Sequence, residues 1–280
     1  MKRSITFFTI LVLLLGCGMG KAAGYHNGTG YYTGTGFSGN GHYSGMMPYG
    51  ASLKAGDIVT FGRYEQDNRA SDGKEPVEWR VLETDEQNGR VLLVSLYGLD
   101  AQPFDTSRSR IVTWESCTLR RWLNDDFLNS AFSDEEQCAI LTSYHGDEDS
   151  SSAAQWLSSP TGDRRAKDRV FLLSYHDADR LYFYETKEYG PTCGYLASSD
   201  RERRCGITAY AAAQGVLTSS EHDVNGRPTG RWWLRTPRTL NGRTYNIYLV
   251  RSGGDIDMDG ASASYMAVRP AIWVSMSAFH

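Results

Sequence analysis

Apolar and polar positions alternate with two different periods along this chain, and the change of period marks its elements. Asp57-Ile-Val-Thr-Phe61, Val77-Glu-Trp-Arg-Val-Leu82 and Arg90-Val-Leu-Leu-Val-Ser95 are short runs rich in β-branched and aromatic residues and predict strands. Residues 85–89 carry hairpin-turn chemistry between the last two. The period then becomes helical: Leu119, Trp122 and Leu123 share a face, with Thr113 or Ser116 near its start. Ser133-Asp-Glu-Glu136 is a capping-box pattern that predicts a second helix through Leu141. Residues 143–168 are polar and serine-rich and predict an exposed insertion. Val170-Phe-Leu-Leu173 predicts a strand, and residues 176–184 and 207–214 predict helices, the latter stopped by Gly215. Trp232-Trp-Leu-Arg235, residues 245–251 and residues 264–274 predict strands, with a turn at 252–255 between the last two. The order of elements predicts an α+β fold, antiparallel sheets with helices packed on them.

The first fifty residues have a different texture. Lys2 and Arg3 precede an apolar run over 5–15, the order of a secretory signal and too short to span a bilayer. Leu14-Leu15-Gly16-Cys17 resembles the bacterial lipobox, which implies acylation of Cys17, a signal peptide over 1–17 and a lipid anchor at the cell envelope. Residues 18–50, mostly glycine, tyrosine and small polar residues, predict a flexible tether ahead of a domain over 51–280.

The formal net charge of −4 argues against a nucleic-acid partner. Cys117, Cys138, Cys193 and Cys205 form no Cys-x-x-Cys pair, so no zinc site is expected. Cys193 and Cys205 share a loop-rich stretch and can form a disulfide outside the cytoplasm, whereas Cys117 and Cys138 read as small buried hydrophobes. Asp255-Ile-Asp-Met-Asp-Gly260 opens like a calcium loop, but the position needing a bidentate glutamate is Met266, so a solvated turn is expected. His145, His176 and His222 lack metal spacing and read as exposed polar residues. No nucleophile elbow or zinc-protease motif occurs, so neither a metal, a cofactor nor catalysis is expected.

Trp114-Glu-Ser-Cys-Thr-Leu-Arg-Arg-Trp-Leu-Asn124 with Phe127-Leu-Asn-Ser-Ala-Phe132, then Trp232-Trp-Leu-Arg-Thr-Pro237, then Val268-Arg-Pro-Ala271 form three blocks. Together they resemble a bacterial extracellular domain family with a C-type-lectin-like fold, a group that includes the variable proteins of diversity-generating retroelements. A more distant similarity is to formylglycine-generating enzymes, whose C-terminal cysteine pair this chain lacks after Cys205. From the residues themselves, Trp232, Trp233 and Trp273 read as core, Arg235 and Arg269 as anchors for carbonyl groups, and Pro270 as an edge or a sharp turn. The resemblance implies a ligand-binding face between the second and third blocks, over 238–265. Its candidates are Thr239, Leu240, Asn241, Tyr245, Asn246, Tyr248, Arg251, Asp255, Asp257, Asp259, Ser262, Ser264 and Tyr265, expected on one exposed face. The partner would be an extracellular protein or glycan. The competing expectation is an extracellular enzyme or cell-wall accessory factor, and a third is a structural surface lipoprotein.

Overall fold

A computed structural model describes residues 42–43, 52–145, 166–181, 202–240 and 243–279. Among these residues the fold is mixed α/β, built on two sheets that are almost wholly antiparallel, with few and short helices. The first sheet runs in the order His42–Tyr43, Ile58–Tyr64, Glu75–Asp85, Arg90–Ser95, Ala271–Ser275, Ile140–Leu141, and Val170–Phe171 also pairs with Ala271–Ser275. The second runs Ile256–Asp259, Arg243–Val250, Trp232–Leu240, Ala267–Val268, Asp100–Ala101.

The chain passes from one sheet to the other through Arg269 and Pro270. The single strand expected over 264–274 is therefore two, Ala267–Val268 and Ala271–Ser275, one in each sheet. Pro270 has no N–H to give to a ladder. Its carbonyl accepts from Ser95 N at 2.9 Å, which ties the crossover to the first sheet.

Both expected arginine anchors are present. Arg269 Nε donates to Ser95 O at 3.0 Å and Arg235 Nη1 to Leu172 O at 2.8 Å. Trp79, Trp114, Trp232 and Trp233 are fully buried. Trp273 is not: it is half-buried, with the Arg90 guanidinium 4.6 Å from its ring centre, because its side of the first sheet faces outward there.

The capping box forms, Ser133 Oγ accepting from Glu136 N and Glu136 Oε2 from Ser133 N. The other Glu136 oxygen accepts from Gly62 N at 3.1 Å. Gly62 has φ +71°, and a Cβ there would lie 2.6 Å from the Phe132 ring. The helix ends at Ala139, short of Leu141, because Ile140 turns extended to pair with Val274. The first helix, Thr118–Trp122, is capped by Cys117 and continues through a wider turn at Leu123–Phe127 into Leu128–Ala131. Helix over 207–214 shrinks to Ala209–Ala213, since Thr208 Oγ1 caps Ala211 N and Ile207 instead bridges to Gly98. Of the helix expected over 176–184, residues to 181 are described and are helical.

The expected insertion over 143–168 starts and ends in a hairpin, Ser143–His145 against Ala166–Asp168, and residues 146–165 lie outside the described residues. His42–Tyr43, inside the segment expected as a tether, adds a parallel edge to Ile58–Val59; the rest of 18–50 and Cys17 lie outside the described residues.

Candidate functional site

The second sheet presents two faces, and strand alternation decides which residues go to each. Ile247 and Leu249 are buried on one face, across from Pro237 and Trp233 on one side and from Asp259 and Asp257 on the other. Phe104 covers this face, its ring 5.9 Å from Trp233 and 6.1 Å from Trp114.

The chain then leaves Phe104 and runs beside the sheet as a loop over 105–113. Two pins hold it. Asp105 N donates to Ala261 O at 2.9 Å, and the buried Asp105 carboxylate accepts from Ser107 N, Ser107 Oγ and Thr118 N. Farther on, Thr244 N donates to Arg110 O at 3.0 Å, and Thr244 Oγ1 both accepts from Val112 N and donates to Val112 O. Between the pins Arg108 sits at φ +59°, the left-handed region that is uncommon for a residue with a side chain. Residues 106–111 are exposed, Ile111 to 56%.

The loop and the turn after Ile256–Asp259 enclose an open groove of about 550 Å³, lined by Asp105, Thr106, Arg108, Ser109, Val112, Thr244, Ala261 and Ser262. Among the described residues its ionisable groups are Asp105 and Arg108, and both Asp105 oxygens already accept hydrogen bonds from the loop and the helix start. Hydroxyls, one guanidinium and apolar patches over a pinned backbone suit recognition by hydrogen bonding and contact.

The expected binding residues do not share one face. Ser262 lines the groove, and Asp257 and Asp259 lie on the groove side of the sheet by register. Their carboxylates are engaged: Arg251 pairs with Asp255 at 3.4 Å and Asp257 at 2.5 Å, and Asp259 accepts from Tyr265 Oη at 2.6 Å. Ser264 is exposed in the adjoining turn. Asn246 and Tyr248 are half-buried on the opposite face, in register with Arg238 and Met258, and the Tyr248 ring lies 4.8 Å from Tyr175. Thr239, Leu240 and Tyr245 are placed in strands by their backbone, and Asn241 lies outside the described residues. Asp105, Arg108 and Thr244 were not legible as site residues. The available signal was the run Asp105-Thr-Ser107, in which a carboxylate caps its own turn.

The stretch 255–260 is no solvated turn. Ile256–Asp259 is an edge strand, because Ile256 and Met258 alternate with the aspartates and pair with Val250 and Tyr248. Among the described residues, Glu65, Asp67 and Glu75 bring one carboxylate oxygen each within 4.8 Å of one another. Those carboxylates accept the backbone N–H groups of Arg69 and Gln66, which is turn chemistry.

Cys205 is a free thiol, wholly buried, and burial pushes its pKa up; Cys193 lies outside the described residues. Cys117 is buried as expected, but Cys138 is exposed on its short helix.

His145 also departs from expectation. It ends a strand, its Nε2 is 2.7 Å from Ser143 Oγ, and its ring packs on Phe171 with centroids 3.9 Å apart. Burial, then the charge of Arg235, lowers its pKa to about 3, so it is neutral at ordinary pH and a weak base for activating a hydroxyl. The unfolded chain, with a histidine pKa of about 6.5, takes up a proton that the fold refuses between about pH 6.5 and about pH 3. Stability therefore falls as pH drops through that window, with a slope from this group of up to about 1.4 kcal/mol per pH unit. His145→Phe is expected to flatten the wild-type slope in urea unfolding between about pH 7 and about pH 4; equal slopes would contradict it.

A family model described as a domain of unknown function (DUF6273) matches residues 88–276, which takes in the groove, the helices and the second sheet. No curated protein and no solved structure matches the chain.

Proposed function

Because the chain belongs to the DUF6273 family, whose description carries no activity, we propose its function from its own surface: a lipid-anchored ligand-binding protein of the bacterial cell envelope. The binding site is the groove between the 105–113 loop and the C-terminal turn, and the ligand is a protein or a glycan. One observation carries this reading. An open groove of about 550 Å³ has exposed, adaptable side chains on a backbone fixed by partly buried hydrogen bonds. That size lies within the roughly 300–1,000 Å³ of ligand pockets. Exposed side chains on a rigid base can change with little effect on folding.

The C-type-lectin-like reading of the fold rests on the three sequence blocks. It is supported by the burial of Trp232 and Trp233 and by the carbonyl anchors at Arg235 and Arg269. Retroelement diversification would act on the exposed part of the segment, where Arg251, Ser262 and Ser264 stand. Anchoring rests on Cys17. Among the described residues no helix is long and apolar enough to cross a membrane.

The test is an array of glycans and envelope proteins probed with the labelled chain. Wild type is expected to be retained by a subset of spots. Arg108→Glu, which reverses the one cation of the groove among the described residues, is expected to lose them while unfolding at the wild-type midpoint. Retention of the same spots by Arg108→Glu, or of none by wild type, would remove the groove as the site. Cys17→Ala is expected to leave the membrane fraction without changing the array result.

A further inference from the structure

A second cavity lies apart from the groove, between the first sheet and the 218–230 hairpin. It is small, about 90 Å³, and far from flat. A water takes about 30 Å³ in the liquid, so the space suits about three waters or one compact polyatomic anion. Arg80 from the Glu75–Asp85 strand, Arg204 from the segment before the short helix and Arg269 from the sheet crossover converge on it, with Glu202, Asp223 and His222.

The carboxylates beside the cavity are already engaged. Glu202 Oε2 is engaged by Arg80 Nη1 at 3.0 Å. Asp223 is turned into its own hairpin tip: Oδ1 accepts from Asn225 N and Arg227 N, and Oδ2 lies so close to Gly206 that a Cβ there would meet it at 2.2 Å. The tip is fastened over the first sheet by Arg227 stacked 4.2 Å from the Tyr97 ring centre and by Asn225 Nδ2 donating to Tyr97 Oη. Arg204 is held in place by Gly253 O and by Glu221, which is outside the cavity lining. Arg269 is 2% exposed, its plane fixed by Ser95 O and the Trp232 ring. Burial holds its pKa below the ordinary arginine value, the mark of a cation removed from water. Among the described residues of the lining, three guanidinium groups meet two engaged carboxylates, and Glu221 orients Arg204 from outside it, which leaves a fork-shaped donor set around a compact space.

We propose that this cavity is a binding site for a small multi-oxygen anion, either a free tetrahedral oxyanion or a carboxylate group. It is independent of the groove, and neither requires the other.

The experiment is isothermal titration of the full chain with sodium phosphate, sulfate or acetate, each against sodium chloride at matched ionic strength, reading the cumulative heat. Heat from non-specific ion effects grows without saturating, whereas heat from site binding follows occupancy and saturates by mass action, with a half-effect concentration near Kd. A saturable heat over chloride is expected. Its half-effect concentration is expected to move up by at least about tenfold, roughly 1.4 kcal/mol, in Arg204→Gln and in Arg80→Gln, both partly exposed so that folding is kept. Arg121→Gln, exposed on the Thr118–Trp122 helix and outside the cavity lining, is expected to leave it unchanged. Saturation by acetate alone assigns a carboxylate, and by phosphate or sulfate alone a tetrahedral oxyanion. Only a non-saturating heat, or a saturable one with the same half-effect concentration in Arg204→Gln and Arg80→Gln, would overturn the site.

Discussion

Trp232→Ala is expected to destabilise the fold by about 3–5 kcal/mol, while Trp273→Ala costs about 1–2 kcal/mol, within the ordinary range for a partly exposed side chain. The Trp232 ring is wholly buried, its Nε1 donates to Arg203 O at 3.1 Å, and it supports the Arg269 guanidinium 4.9 Å from its centre. Truncation therefore leaves a cavity, takes the indole donor from the Arg203 carbonyl and leaves a buried cation without its aromatic neighbour. Trp273 stands in the middle of the same C-terminal region, but solvent and Arg90 cover much of it. Denaturant midpoints of the two variants should be well separated. Equal losses would mean that burial does not set the cost here.

Asp168→Ala is expected to cost about 3 kcal/mol, the lower end for breaking a buried ion pair from one side. The Asp168 side chain is shielded from solvent and meets Trp114 Nε1 at 2.8 Å and Arg120 Nε at 2.5 Å. Burial pushes its pKa above the ordinary carboxylate value in spite of those two partners. Removing it takes the carboxylate acceptor from the buried Trp114 indole N–H and the counter-charge from the Arg120 guanidinium, which is 20% exposed and keeps Glu115 O and Lys167 O. Asp168→Asn keeps an acceptor for Trp114 and should fall between wild type and Asp168→Ala in urea unfolding. An Asn variant as unstable as the Ala variant would assign the whole effect to charge.

These residues also show where sequence reading succeeds and stops. The strands at 58–64, 75–85 and 90–95 were legible because alternation and a local hairpin turn suffice to place them. The Ser133 capping box was legible because both of its bonds are local. The role of Pro270 was seen as a turn or an edge, but not as the point where the chain changes sheet, since that depends on pairing with Val94 and Phe171 far away in sequence. Ile256–Asp259 was missed because its aspartates look like turn residues until Arg251 is placed across from them. The candidate face was half legible. Alternation correctly put Ile247 and Leu249 inside, but the same alternation sends Asn246 and Tyr248 away from Asp257 and Asp259. The loop partner of the groove was not legible at all, because Thr244 and Val112 meet only through the tertiary fold.

The groove is best tested by placing two multiple variants on the two faces of the second sheet and titrating each against a protein or glycan that wild type retains. One carries Arg108→Ser, Ser109→Ala and Ser262→Ala; the other carries Asn246→Ala and Tyr248→Ala. A site in the groove predicts that the first weakens Kd by at least about tenfold, roughly 1.4 kcal/mol, with stability changed by only about 0.5 kcal/mol, and that the second leaves Kd unchanged. Loss of binding in the second variant with full binding in the first would contradict it and move the site to the Asn246 and Tyr248 face.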